Sequence, residues 1–150
     1  MRLTRYTDYS MRVLLYLGSR TDRLCSISEI ATAYKISQNH LMKVVSELVR
    51  EGYVESVRGR SGGVRLAKLT KDINVGMLIR QTEDDLDLVG CGDCIIAPVC
   101  GLTSVLDEAL TAFFEVLDRY SLADVLARKG SILPLLQLSV DCDSGRGPCT

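Results

Sequence analysis

Between Ser26 and Ala67 the chain carries the order of segments that most narrows what it can fold into. Ser26 or Ser28 caps a short helix over Ile27 to Tyr34, and Glu29, three residues after Ser26, makes a capping box. Lys35-Ile36-Ser37 is a tight turn into a second helix, Gln38 to Arg50, whose apolar residues Leu41, Val44, Val45 and Leu48 share one face. Gly52 stops that helix, and Tyr53 to Val57 then alternates like a strand. Arg58 to Gly63 turns, and Val64 to Ala67 returns as a second strand. Two short helices across a tight turn, followed by a hairpin, is the winged helix-turn-helix order. Some protein-interaction modules share it without binding nucleic acid, so the order alone does not decide the partner.

Charge adds the second constraint. The whole chain carries a net −1, but residues 1–71 hold 13 Lys/Arg against 6 Asp/Glu, a net of +7. Residues 72–150 hold 5 against 13, a net of −8. A basic half is what a phosphate-binding surface needs, and an acidic half argues against coating DNA along the whole molecule. With 47% hydrophobic and 25% charged residues the composition is that of a globular protein. The opening residues carry two arginines and no apolar run, so no secretory leader is expected. No apolar run is long enough to span a bilayer, so no membrane partner is expected. The expected compartment is the cytoplasm, where thiols stay reduced.

The remaining segments complete a mainly α architecture: a winged helix-turn-helix with a long C-terminal dimerisation helix. A first helix is expected over Tyr9 to Leu17 and another over Asn74 to Glu83. Glu83-Asp84-Asp85-Leu86-Asp87 then reads as a solvated linker. Leu102 to Tyr120 is a long amphipathic helix, with Leu102, Leu106, Ala109, Phe113, Val116 and Tyr120 at three- and four-residue steps. Pairing with a second copy would cover such a face, and packing back on its own domain is the alternative. Ser121 with Asp124 starts a short final helix. The expected units are a DNA-binding region over 1–71, a connecting helix and loop over 72–101, dimerisation and terminal helices over 102–138, and a flexible tail over 139–150.

Six cysteines stand at 25, 91, 94, 100, 142 and 149. Cys91, Cys94 and Cys100 form C-x2-C-x5-C in a loop with Gly90, Gly92 and Pro98, which lets sulfurs converge as a regular helix would not. Three thiolates suit an iron–sulfur cluster or zinc, and a metal-free thiol switch is a third option. A closed zinc site lacks a local fourth ligand, because the single histidine, His40, lies in the second helix. Cys25, beside Leu24 and Ile27, reads as a small core residue, and Cys142 and Cys149 lie in the tail.

The DNA-facing candidates follow from helix and wing. Gln38, Asn39 and His40, at the start of the second helix, can donate and accept at base edges in the major groove. Ser37 and Lys43 can hold phosphate, and Arg58 and Arg60 at the wing tip can enter the minor groove or grip the backbone. No nucleophile–base pair, phosphate loop or catalytic carboxylate pair stands out, so no enzyme is expected.

Six stretches carry a resemblance to a known family: Leu3-Thr4-Arg5-Tyr6-Thr7-Asp8-Tyr9, Ser37 to Lys43, Val57 to Leu66, the cysteine-loop flanks Leu88-Val89-Gly90-Cys91 and Ala97-Pro98-Val99-Cys100, and Tyr120 to Asp124. On these the chain resembles the small winged-helix iron–sulfur regulators that include IscR, RirA and NsrR, from Met1 to about Leu136, and most of all their nitric-oxide-sensing branch. The resemblance implies a homodimeric repressor that binds a double-stranded DNA operator and senses nitric oxide through a 4Fe–4S cluster, with 2Fe–2S as the alternative. It further implies that Asp8 completes the ligand set from the partner subunit. Iron- or redox-responsive relatives of the same fold are the competing expectation. IscR-like proteins place a histidine after the third cysteine, where this chain has Thr103. The family usually separates its first two cysteines by more than the two residues found here.

Overall fold

The computed structural model describes residues 2–128, 132 and 134–136. The soft tail expected over 139–150, with Cys142 and Cys149, lies outside the described residues. Helix α1 runs over Arg5–Gly18, α2 over Ile27–Tyr34 and α3 over Gln38–Arg50. Strands β1 (Val54–Val57) and β2 (Gly63–Leu66) follow, then α4 (Val75–Thr82), α5 (Gly101–Leu117) and α6 (Leu122–Ala127).

Local chemistry explains the boundaries. Ser26 Oγ accepts from the Glu29 N–H at 3.1 Å while Glu29 returns a carboxylate to the Ser26 N–H at 3.0 Å, the reciprocal cap that starts α2. Lys35, at φ 54, ends α2 in the left-handed turn, and Gly52, at φ 77, follows α3. Thr4 caps α1, accepting from the Thr7 N–H at 3.3 Å. The first helix therefore begins at Arg5 rather than Tyr9, and Asp8 sits in its first turn.

One core gathers the faces of these helices. Leu14, Leu17, Ile30, Leu41, Leu48, Leu78 and Leu122 are all buried within it, each contributing about 1.5–3 kcal/mol of apolar transfer. β1 and β2 pair antiparallel, with Glu55 opposite Arg65 and Ser56 opposite Val64. The hairpin is anchored to the core by a reciprocal bridge: Cys25 N–H donates to Val64 O at 3.0 Å and Val64 N–H to Cys25 O at 2.8 Å. Its tip needs glycine, because a Cβ on Gly62 would fall 2.2 Å from Val57 O.

α6 returns to the N-terminal half, packing on α1 and on the 3-10 turn Thr70–Asp72, with Leu122 fully buried. α5 instead rests on α4 through a small cluster of Val75, Ile79 and Phe114, with Leu110, Phe113, Leu117 and Tyr120 alongside. Asp118 locks the joint: it takes both Arg80 guanidinium nitrogens at 2.6 and 2.9 Å, and its carbonyl accepts from Asn74 Nδ2 at 2.7 Å. Phe114 is the only buried residue of α5. The apolar pattern expected over Leu102 to Tyr120 thus divides. Phe113 and Tyr120 face α4 and its neighbours, while Leu102, Val105, Ala109, Ala112 and Val116 form a second stripe open to solvent at alternating three- and four-residue steps.

Candidate nucleic-acid interface and cysteine loop

α3 buries Leu41, Val44, Val45 and Leu48, so its opposite side must face out. Gln38, Asn39, His40 and Lys43 are all exposed there, and among the described residues none makes a side-chain hydrogen bond or ion pair. Ser37 occupies the N-cap position of α3 without a side-chain cap bond, which leaves its hydroxyl uncommitted. Helical spacing extends the outward stripe from Asn39 and Lys43 to Ser46 and Arg50, the last held by Glu47.

Across from α3, Arg58 and Arg60 stand exposed at the wing tip, and neither has an ion-pair partner among the described residues. Arg65 is different: its guanidinium takes both oxygens of Glu55 at 3.0 and 3.1 Å, and each partner reinforces the charge of the other. A groove of about 440 Å³ lies between the helix and the hairpin, lined by Gln38, Met42, Ser56, Arg58, Ser26 and Ser28 among others. Met42 and Ser56 were missed from sequence. Met42 lies one turn beyond Gln38, but an apolar side chain half exposed on a polar face gives no signal until the wing is seen beside it.

The cysteine loop runs from the end of α4 to the start of α5 as a chain of tight turns. Cys94 N–H donates to Cys91 O at 3.2 Å, Ala97 N–H to Cys94 O at 3.1 Å, and Cys100 N–H to Ala97 O at 3.3 Å. All three thiols are free; Cys94 is exposed, and Cys91 and Cys100 are half-buried. The Cys91 sulfur lies 3.6 Å from the Thr103 hydroxyl, and Cys100 occupies the N-cap position of α5. Ile95 and Val99 between them are almost wholly exposed, at 94% and 86%. Within one chain, and among the described residues, no three His, Cys, Asp or Glu side chains converge closely enough to hold a metal ion. Asp8 is paired instead with Arg12, whose Nε and a terminal nitrogen each approach a carboxylate oxygen at 3.0 Å.

Two hydrogen-bonded links join this loop to α1. Thr7 Oγ1 donates to Thr82 Oγ1 at 2.9 Å, and both residues are buried. Glu83 Oε1 accepts from the Thr4 N–H at 2.8 Å and from its hydroxyl at 3.1 Å. The last residue of α4 and the first residue of the loop therefore hold the N-terminal turn of α1, which also packs on α3. Cys25 belongs to neither site. It is fully buried, and burial, followed by the nearby Glu29, pushes its thiol up to about 11.

Comparison with known proteins places this geometry. The profile of the Rrf2 family, described as an iron-dependent transcriptional regulator, matches residues 3–128. The chain belongs to the Rrf2 family. Rrf2 relatives include NsrR of Bacillus subtilis, 51% identical over 92% of this chain and 99% of that protein, and NsrR of Halalkalibacterium halodurans, 49% identical over 92% and 99%. Both are described as HTH-type transcriptional regulators, and this Rrf2 protein is a transcriptional regulator of that type, not an enzyme. Its fold is also that of CymR, the global cysteine regulator of B. subtilis (TM-score 0.72, 24% identity, 87% of this chain and 99% of that one). T. potens IscR is similar as well, with TM-score 0.69 and 24% identity over 100% and 94% of the two chains. The mainly α winged helix-turn-helix expected from sequence is thus the fold observed. No helix among the described residues is long and apolar enough to cross a membrane.

Proposed function

We propose that this Rrf2 protein is a homodimeric cytoplasmic repressor that binds a partly palindromic double-stranded operator and releases it in response to nitric oxide, sensed through an iron–sulfur cluster held by Cys91, Cys94 and Cys100. One observation carries the reading: three free thiols within ten residues sit on a loop whose α4 end is hydrogen-bonded to α1, beside the recognition helix. The naming of relatives near 50% identity as NsrR supports it.

The donor set fits the group in its chemistry. Iron–sulfur clusters take soft thiolates, and these three are unoxidised, incompletely buried and carried on turns that side-chain packing does not lock. When bound, the cluster supplies iron to which nitric oxide binds. By resemblance the fourth ligand is Asp8 of the partner subunit, which makes a 4Fe–4S cluster the first expectation and 2Fe–2S the second.

The chain's own residues do the rest. Gln38, Asn39 and His40 meet base edges, Ser37 and Lys43 meet phosphate, and Arg58 and Arg60 grip the flanking minor groove or backbone. The exposed stripe Leu102, Val105, Ala109, Ala112 and Val116 is the face a second copy covers, placing two α3 helices in successive major grooves about 34–36 Å apart. α1 is the shared element. A change at the cysteine loop reaches it through Thr82 and Glu83, and α1 bears directly on α3.

The deciding experiment is an anaerobic absorption spectrum with iron and sulfide analysis, then nitric oxide titration against a labelled operator selected from random DNA. Bleaching of a visible cluster band together with operator release is the expected result. A colourless protein that still binds DNA overturns the cluster reading and leaves the regulator. Asp8→Ala tests the bridge: if it binds operator and answers nitric oxide as the parent does, Asp8 is no ligand. The family's description as iron-dependent favours one rival, in which loss of the cluster is itself the signal. Release by an iron chelator at rates matching nitric oxide would select that rival.

A further inference from the structure

The two-residue spacing between the first pair of cysteines has a structural meaning of its own. Cys91-Gly92-Asp93-Cys94 is a single hydrogen-bonded turn, with the Cys94 N–H on the Cys91 carbonyl at 3.2 Å. The first and last Cα atoms of such a turn lie within about 7 Å, and a disulfide needs about 4.4–6.8 Å. Both thiols are free. A Cβ built on Gly92 would meet nothing within 4 Å, so packing does not hold the turn against a small adjustment. The two sulfurs also differ in surroundings. Cys94 is open to solvent, whereas Cys91 is half-buried against the Thr103 hydroxyl. Cys100 occupies the N-cap position of α5, its backbone N–H committed to Ala97.

We propose that, in the cluster-free protein, Cys91 and Cys94 close as an intramolecular disulfide that withholds two cluster ligands until a thiol reductant reopens it. The disulfide stands on the turn alone; its regulatory consequence rests on the cluster reading above. The oxidant is a peroxide. The exposed Cys94 sulfur attacks one peroxide oxygen, the O–O bond breaks, and a sulfenic acid and one water result. The Cys91 sulfur then attacks the sulfenic sulfur, the S–O bond breaks, and the departing hydroxyl takes the thiol proton as a second water. Two thiols have lost two hydrogens, and one hydrogen peroxide has become two waters.

The test uses full-length protein freed of iron, treated anaerobically with equimolar hydrogen peroxide, alkylated, and mapped by fragmentation mass spectrometry. Before alkylation the expected product is about 2 Da lighter than the reduced protein, the two hydrogens of a disulfide; after alkylation Cys91 and Cys94 are protected and Cys100 is modified. Cys100→Ser forms the same bond, while Cys91→Ser and Cys94→Ser stop at a single oxidised sulfur. A bond that includes Cys100, or loop thiols that stay alkylatable, overturns the proposal. Iron and sulfide are then added with and without dithiothreitol. Oxidised protein should regain the visible band only with the reductant, and equal reloading without it removes the regulatory consequence. Reduced protein that never loads a cluster refutes the cluster reading instead, and the mapped disulfide stands or falls separately.

Discussion

Replacing Thr82 by valine tests the joint that holds α1 to the cysteine loop. Thr82 is 2% exposed and Thr7 is fully buried, so neither hydroxyl can turn to water. Thr7 donates to Thr82 at 2.9 Å, and Thr82 passes its own proton to Leu78 O at 3.0 Å. Valine keeps the shape of threonine and deletes the acceptor for Thr7. A buried hydroxyl left without a partner costs about 1–3 kcal/mol. Here the cost falls at the low end, about 1 kcal/mol, because Thr4 Oγ1 stands 3.1 Å from Thr7 Oγ1 as a second acceptor. Thr7→Val is milder, about 0.5–1 kcal/mol, since Thr82 retains its bond to Leu78.

The double variant removes donor and acceptor together and should cost less than the sum of the singles, by about 0.5–1 kcal/mol of coupling. Urea and thermal unfolding at one fixed protein concentration read these values, with about 2–4 °C of Tm per kcal/mol for a chain of this size. Single effects that add within about 0.3 kcal/mol would refute the pairing. So would a Thr82→Val protein as stable as its parent.

Other perturbations address the remaining surfaces. Arg58→Ala and Arg60→Ala should each weaken binding to all DNA sequences alike and lower the slope of log K against log salt by about 1, read by titration at several salt concentrations. Ala109→Glu puts a charge in the middle of the open stripe on α5 and should yield monomers in sedimentation analysis with helix content unchanged. At Glu29, burial raises the carboxyl, but hydrogen bonds from Arg23, the Ser26 N–H and Tyr16 outweigh it and hold the group below its ordinary 4.5. A lowered folded-state value stabilises the protein above the unfolded pKa and is lost on acidification. Parent stability should therefore fall below about pH 4.5, and the Glu29→Gln profile should be flatter there.

What could be read from sequence was local. The turn between α2 and α3, the capping boxes at Ser26 and Ser121, and the extent of the hairpin all depend on neighbours a few residues apart. The start of α1 was not local. Tyr6 and Thr7 continue no clear apolar stripe, and the Thr4 cap is secured by Glu83, 79 residues away. α5 shows a different limit. It carries two apolar stripes, and periodicity reveals that both exist without saying which one α4 covers. The exposure of Gln38, Asn39, His40 and Lys43 was legible because polar side chains on the outer face of an amphipathic helix announce themselves. Met42 and Ser56 became visible only once the wing was placed beside α3.

Asp8 shows where magnitudes must decide. In the single chain its carboxylate is held by Arg12 in a two-point pair, which at first sight competes with a ligand role. Both side chains are more than two-fifths exposed, and an exposed pair of this kind is worth about 0–1 kcal/mol. Its place in the first turn of α1 adds about 0.3–1 kcal/mol from the helix dipole, and that term survives any change of partner. Giving up Arg12 thus costs less than the 1.5–3 kcal/mol typical of a single hydrogen bond to a charged group, on the order of which one new ligand bond would compensate. The ion pair is therefore a weak resting state for a carboxylate on the exposed side of α1. What restrains the helix more firmly is the buried Thr7–Thr82 bond and the Glu83 cap, both made by the C-terminal end of α4.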